Sequence, residues 1–158
     1  MIVTINTDAA YHSTHKIGGY AFWIVSDKGK ICMSGVLKQQ CKRSEIAEMR
    51  CILNAVFVVI NQNYQGKINI IVNTDCLNAI HVFKNDCVAI HNYRLGFGKK
   101  YRKKLYSFLI PHNKKYSIEF RHVKAHTDTK DKRSFVNNWC DVSAKKQMWD
   151  KINKTIIQ

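Results

Sequence analysis

Ile68-Asn69-Ile70-Ile71-Val72-Asn73-Thr74-Asp75 closes on the same three residues as the chain's opening run, Ile2-Val3-Thr4-Ile5-Asn6-Thr7-Asp8. Both runs are rich in β-branched residues and end in an acid, which reads as two strands with a carboxylate at the end of each. Between them Ile46, Met49, Leu53, Phe57 and Ile60 repeat at helical spacing, predicting a helix over about Ser44–Ile60. A helix of that length serves as a right-handed crossover, so the two strands are expected to run parallel. As neighbours they would set Asp8 and Asp75 at one sheet edge, about 5 Å apart.

The rest of the fold is built outward from this pair. A polar loop after Asp8 closes in Gly18-Gly19, Tyr20–Val25 is a second strand, Asp27-Lys28-Gly29 a turn and Ile31–Leu37 a third strand. In the first helix Ser44 is the expected N-cap, with Glu45 and Glu48 favouring the positive helix end. After Asp75 come a short helix at Leu77–Lys84, a basic irregular segment to about Lys100, and a helix over Tyr101–Ile110 that stops at Pro111. Tyr116–Val123 is the fifth strand. The loop His126–Ser134 then leads to a last helix from about Phe135 to Ile152. The order β-β-β-α-β-α-α-β-α, without repeat or linker, makes one α/β domain over residues 1–158 the economical reading.

Composition restricts the functional classes. Of 158 residues 46% are hydrophobic and 23% charged, which excludes disordered and collagen-like chains. No apolar run reaches the roughly 18 residues of a membrane span, and no basic-then-apolar leader opens the chain. The net charge of +15 points to a polyanionic partner, above all nucleic acid. The cysteines Cys32, Cys41, Cys51, Cys76, Cys87 and Cys140 lack zinc-site spacing. Several lie in apolar stretches and read as buried thiols, and a reducing cytoplasmic location is expected.

Acids are scarce, so their positions carry information. Glu48 sits about 140° around its helix from the polar stripe of Arg50, Asn54 and Asn61, among Cys51, Ile52 and Ala55. A carboxylate on that side is costly unless paired or metal-bound. Asp141 lies early in the last helix beside Trp139 and Cys140. Taken singly, each acid has an ordinary reading: Asp75 as a cap for Leu77–Lys84, Glu48 as a partner of the helix dipole. Taken together, an open cluster of oxygen ligands suits Mg²⁺ or Mn²⁺.

The ordered motifs resemble type 1 ribonuclease H, of the ribonuclease H-like superfamily. Thr7-Asp8 is similar to its first-strand aspartate, and Gly18-Gly19-Tyr20-Ala21 to its glycine-rich entry to the second strand. Ala47-Glu48-Met49-Arg50 resembles its glutamate motif, Thr74-Asp75 its Thr-Asp-Ser, and Val123-Lys124-Ala125-His126 its Val-Lys-Gly-His. Asn137-Asn138-Trp139-Cys140-Asp141 is similar to its Asn-x-x-(Cys/Ala)-Asp. The resemblance implies a mixed five-stranded sheet, its first three strands antiparallel and its fourth and fifth parallel to the first, flanked by helices. It implies hydrolysis of the RNA strand of RNA–DNA hybrids with two Mg²⁺ or Mn²⁺ ions, held by Asp8, Glu48, Asp75 and Asp141. It gives His126 a part in proton transfer or product release. The chain departs from the family pattern at Ala9-Ala10-Tyr11-His12, where the family has Gly-Ser and later Asn-Pro-Gly, and at Ser44-Glu45, where it has Asn-Asn.

Half of the 26 lysines and arginines fall between residues 94 and 133, against the acids Glu119, Asp128 and Asp131. Lys99, Lys100, Arg102, Lys103 and Lys104 form the densest run, interleaved with Tyr101 and Tyr106. This resembles the family's basic protrusion, here about residues 85–104, and phosphate contacts of this kind give affinity without sequence preference. Arg43, Ser44, Lys124 and Asn137 complete the expected nucleic-acid surface. The expected partner is a hybrid duplex bound by a monomer, with no membrane. A DNA-directed relative of the junction-resolvase type and a non-catalytic hybrid or double-stranded RNA binding module are the alternatives. The first is disfavoured because Asp141 has no acidic partner close by in the last helix, the second because all four acids are present.

Overall fold

The computed structural model describes the chain apart from residue 113, residues 125–131 and residues 157–158; the side chains of residues 132 and 133 are likewise outside it. Five strands, β1 (Ile2–His12), β2 (Ile17–Ser26), β3 (Gly29–Val36), β4 (Ile68–Thr74) and β5 (Tyr116–His122), form one sheet in the order β3-β2-β1-β4-β5. β1 pairs antiparallel with β2 and β2 with β3, while β4 runs parallel to β1 and β5 parallel to β4. The mixed five-stranded sheet expected from the sequence is the one observed.

Helix α1 (Ser44–Ile60) makes the crossover from β3 to β4 and packs on β1 and β2. Its core face joins Met49, Ile52, Val56 and Val59 to Val3, Ile5, Ile24, Ile70 and Val72 of the sheet, all buried. Phe57 points outward instead, 5.4 Å from the Phe108 ring. The opposite face of β1, β2 and β3 is covered by α5 (Lys132–Ile156) through Cys140, Ala144, Met148 and Ile152. Helices α2 (Leu77–Lys84), α3 (Cys87–Asn92) and α4 (Lys99–Leu109) fill the crossover from β4 to β5, with a 3-10 turn at Gly96–Gly98 before α4 and another at Ile110–His112 after it.

Four expectations need correction. β1 does not end at Asp8: it continues to His12, paired to β2 through His12↔Ile17, so Asp8 is a mid-strand residue. Ser44 is not the N-cap. Arg43 holds that position in extended backbone without a side-chain cap, and Ser44 lies inside the helix with its hydroxyl donating to Glu45. The segment expected to be irregular before Lys100 contains α3, capped by the Asp86 carboxylate, which accepts from the Ala89 amide. The last helix begins at Lys132 rather than Phe135 and runs four residues past Ile152, to Ile156.

Gly19 is the closest approach between sheet and α5. A Cβ there would overlap the Ala144 carbonyl oxygen and lie 2.9 Å from the Met148 amide nitrogen. Both atoms belong to helix backbone, which cannot yield by a rotamer change. Gly19→Ala should therefore cost about 2–3 kcal/mol through overpacking, about 5–10 °C in Tm, measurable by thermal denaturation. An unchanged Tm would mean that α5 does not sit this close to the sheet.

Candidate active site

Parallel pairing of β1 with β4 stops at Asn6↔Asn73, and two residues further each strand delivers its aspartate. The first turns of α1 bring Glu48 beneath them from the other side. One carboxylate oxygen from each of Asp8, Glu48 and Asp75 lies within 4.8 Å of the other two. Glu48 is buried, and Cys51, Ile52 and Ala55, which the helical wheel places on its side, are all fully buried. Asp75 does not cap α2, whose N-cap is Cys76 and carries no side-chain cap bond.

A single amide serves two of the acids. The Ala9 N–H donates to Asp8 Oδ1 at 2.8 Å and to Glu48 Oε1 at 3.0 Å. Glu48 Oε2 is buried without a hydrogen-bond partner among the described residues. Burial, then the Asp75 and Asp141 charges, push the Asp8 carboxyl up to about 7. Burial, followed by Asp8 and Asp75, holds Glu48 well above the usual carboxylate range. Such a cluster is short of positive charge. A divalent cation would supply it and give the orphaned oxygen a partner, so the residues present fit Mg²⁺ or Mn²⁺.

Asp141 is half-buried on α5 and stands outside the three-acid group, although its charge acts on Asp8. Its two oxygens are held by Lys145, one turn on, at 2.7 and 2.8 Å. Arg43 lies with its guanidinium 5.1 Å from the Phe97 ring centroid, bridging the start of α1 to the basic segment. Lys99, Lys100, Lys103 and Lys104 are exposed on α4, while Arg102 is half-buried and donates to the Val82 carbonyl. Lys124 is exposed just past β5, whose end is tied to β4 by the Val123 N–H donating to the Thr74 carbonyl. Asn137 is half-buried one turn before Asp141. His126 lies outside the described residues.

Some participants were not read from the sequence. The Ala9 amide and the Cys51 thiol, which donates to the carbonyls of Ala21 and Asp8, leave no side-chain signal of function. Lys145 was signalled by its i,i+4 spacing from Asp141. A ring nitrogen of His122 lies 3.1 Å from the Asp75 carbonyl oxygen, a contact that only the β4–β5 register reveals. Of the cysteines, all six free, Cys41, Cys51 and Cys140 are buried as expected, whereas Cys32 and Cys87 are exposed.

The RNase H family profile matches residues 1–149. The chain belongs to the RNase H family. It is thus a ribonuclease H by family, with the family's fold. No curated protein matches it at a comparable level. Among solved structures it is similar to the N-terminal RNase H domain of rv2228c from Mycobacterium tuberculosis, at 11% identity and a TM-score of 0.66 over 98% of each chain. It is also similar to RNase H1 from the halophilic archaeon Halobacterium salinarum NRC-1, at 15% identity and 0.58 over 95% of this chain and 99% of that one. LC11-RNase H1, isolated from compost by a metagenomic approach and solved in complex with an RNA/DNA hybrid, shares 13% identity at 0.61, again over 95% and 99%.

The metal-free RNase H site carries a pH signature. The Asp8 carboxyl has an ordinary value of 3.8 and lies near 7 in the folded chain. Between those values the folded form binds a proton that the unfolded form has lost, so raising the pH draws the chain toward the unfolded state. In EDTA, stability should fall between about pH 4 and pH 7, by about 2–4 kcal/mol from this group. Denaturant titrations at stepped pH check this, with Asp8→Asn as the reference. A wild type whose stability tracks that of Asp8→Asn at every pH contradicts it.

Proposed function

We propose that this RNase H chain is an endonuclease that hydrolyses the RNA strand of RNA–DNA hybrids, using two divalent cations held by Asp8, Glu48, Asp75 and Asp141. The observation that carries the reading is the cluster of three acids, with the buried and unpartnered Glu48 Oε2, in a chain of net charge +15. Three carboxylates gathered in so basic a protein favour a cation over any anionic or neutral occupant.

When bound, the two cations supply Lewis-acid charge at the scissile phosphate and a water acidic enough to attack phosphorus near neutral pH. The chain's own residues do the rest. Asp8, on the central strand, would hold the cations together with Glu48 and Asp75, and the Ala9 amide fixes its carboxylate against that of Glu48. Asp141 would join the ligands on giving up Lys145, a partner on its own helix with an exposed side chain. His126 assists proton transfer or product release. Lys99, Lys100, Arg102, Lys103 and Lys104, in the protrusion spanning about residues 85–104, grip backbone phosphates together with Arg43, Ser44, Lys124 and Asn137. The hybrid bound by LC11-RNase H1 supports this choice of substrate.

Labelled RNA–DNA hybrid, double-stranded RNA, double-stranded DNA and a four-way junction, each with Mg²⁺, Mn²⁺ or EDTA, test the reading. Cleavage of the hybrid's RNA strand alone, with either metal and not in EDTA, is the expected result. Preferential cutting of the junction would favour the DNA-directed alternative, and binding of the hybrid without cleavage a non-catalytic module.

A further inference from the structure

The repeated tripeptides Asn6-Thr7-Asp8 and Asn73-Thr74-Asp75 place more than two acids in register. Asn6 and Asn73 are direct partners and form the last pair of the β1–β4 ladder. The Asn73 side-chain amide donates to Asn6 Oδ1 at 3.0 Å, and the Thr7 hydroxyl lies 3.4 Å from the Asn73 carbonyl oxygen that accepts its proton. Beyond this pair β4 ends at Thr74, while β1 continues with β2 on its other side. No β1–β4 ladder pair is formed level with the two carboxylates.

Strand alternation puts Asn6 on the same face of β1 as Asp8, and Asp75, just past the end of β4, brings a carboxylate oxygen within 4.8 Å of one of Asp8. The amide bond therefore crosses the strands two residues below the gap between the acids and on their side of the sheet. Asp8 and Asp75 repel each other and push the strand ends apart, and the side-chain bond opposes that motion at the point where the backbone ladder stops.

We infer that the Asn6–Asn73 pair is a positioning element of the metal site, setting the separation of Asp8 and Asp75. The inference rests on the proposed function, in that it requires those acids to hold a divalent cation. Neither asparagine touches the cation. Each acts through the strand that carries a ligand, as outer-shell groups do when they orient ligands, and removing such a group costs 10–100-fold in metal affinity or activity.

The test is calorimetric titration of the full chain with Mn²⁺, alongside steady-state cleavage of a hybrid. Asn6→Ala and Asn73→Ala should each weaken Mn²⁺ binding about tenfold and lower kcat with little change in KM, because the phosphate-gripping cations are untouched. The double variant should be no worse than either single one, since both remove the same bond. Asn69→Ala is the structural control. Asn69 lies at the other end of the same face of β4 and accepts a comparable cross-strand bond from the Ser117 hydroxyl. Its loss should leave Mn²⁺ binding unchanged.

Asn6 and Asn73 variants that bind Mn²⁺ as tightly as wild type overturn this inference alone. So do losses that add in the double variant, or an equal loss in Asn69→Ala. A wild-type chain that binds no Mn²⁺, or an Asp8→Asn variant that binds it normally, overturns the metal-site reading and this inference with it.

Discussion

Asp8→Asn should reduce hybrid cleavage by about 10³-fold or more, because several kcal/mol of transition-state charge stabilisation would be lost with a ligand of the proposed cations. The same change should make the metal-free protein more stable at pH 7 and above. Asp8 carries a carboxyl raised to about 7 by burial and by two neighbouring acids, so a neutral amide relieves the folded state of that repulsion. Asp75→Asn should likewise abolish cleavage, and its metal-free stability should match or exceed that of wild type. Activity lost while Tm in EDTA rises is a combination that a purely structural aspartate cannot give. Cleavage near the wild-type rate in Mg²⁺ by either variant would show that the acid is not a ligand.

The second large effect is expected on α4. Lys99, Lys100, Lys103 and Lys104 project from one stripe of the helix and are all exposed, whereas Tyr101 and Leu105 anchor the opposite side in the core. Replacing the four lysines with Ala should weaken hybrid binding by about 10²–10³-fold at 50 mM salt, with no dependence on sequence. The plot of log affinity against log salt should flatten by about 0.9 for each phosphate that a lysine no longer neutralises. At saturating substrate the rate should change little, because these cations hold ground state and transition state alike. Lys100 and Lys104 also lie about 5 Å from the Tyr101 and Phe108 ring centroids, so a modest fall in Tm is expected from the missing side-chain packing. Unchanged affinity and salt slope would leave α4 as a solvated surface and move the groove toward Lys38, Lys42 and Arg43.

The elements legible in the sequence were those with strong periodicity. α1 and α2 have the residue limits their apolar spacing implies, and the parallel β1–β4 pair follows from a crossover helix between two like strands. Glu48 stood out because a helical wheel places it among apolar residues, and the structure buries it there. The errors came where local chemistry was weak or ambiguous. Ala9 and Ala10 have little intrinsic strand preference, and Ala9-Ala10-Tyr11-His12 is held extended by its four pairs with β2, Ala9↔Tyr20 to His12↔Ile17. α3 has six residues, too few to show a face, although Asp86 was a readable cap. Ser44 is a good capping residue in a position where the backbone had already turned helical, leaving Arg43 at the cap. At the site, three of the four acids gather as their motifs imply. Asp141 stands outside that group and pairs with Lys145, a side-chain pairing that spacing suggests and only coordinates can place.

The chemistry of the cleaved ends tests the central claim most directly. Hydrolysis by a water activated among these carboxylates breaks the bond to the 3′ oxygen. It predicts RNA fragments with 5′-phosphate and 3′-hydroxyl ends, formed with Mg²⁺ or Mn²⁺ and absent in EDTA. Mass spectrometry of the products from a hybrid of defined length would identify those ends. Fragments ending in 2′,3′-cyclic phosphate would contradict the account, because they arise from attack by the RNA's own 2′-hydroxyl.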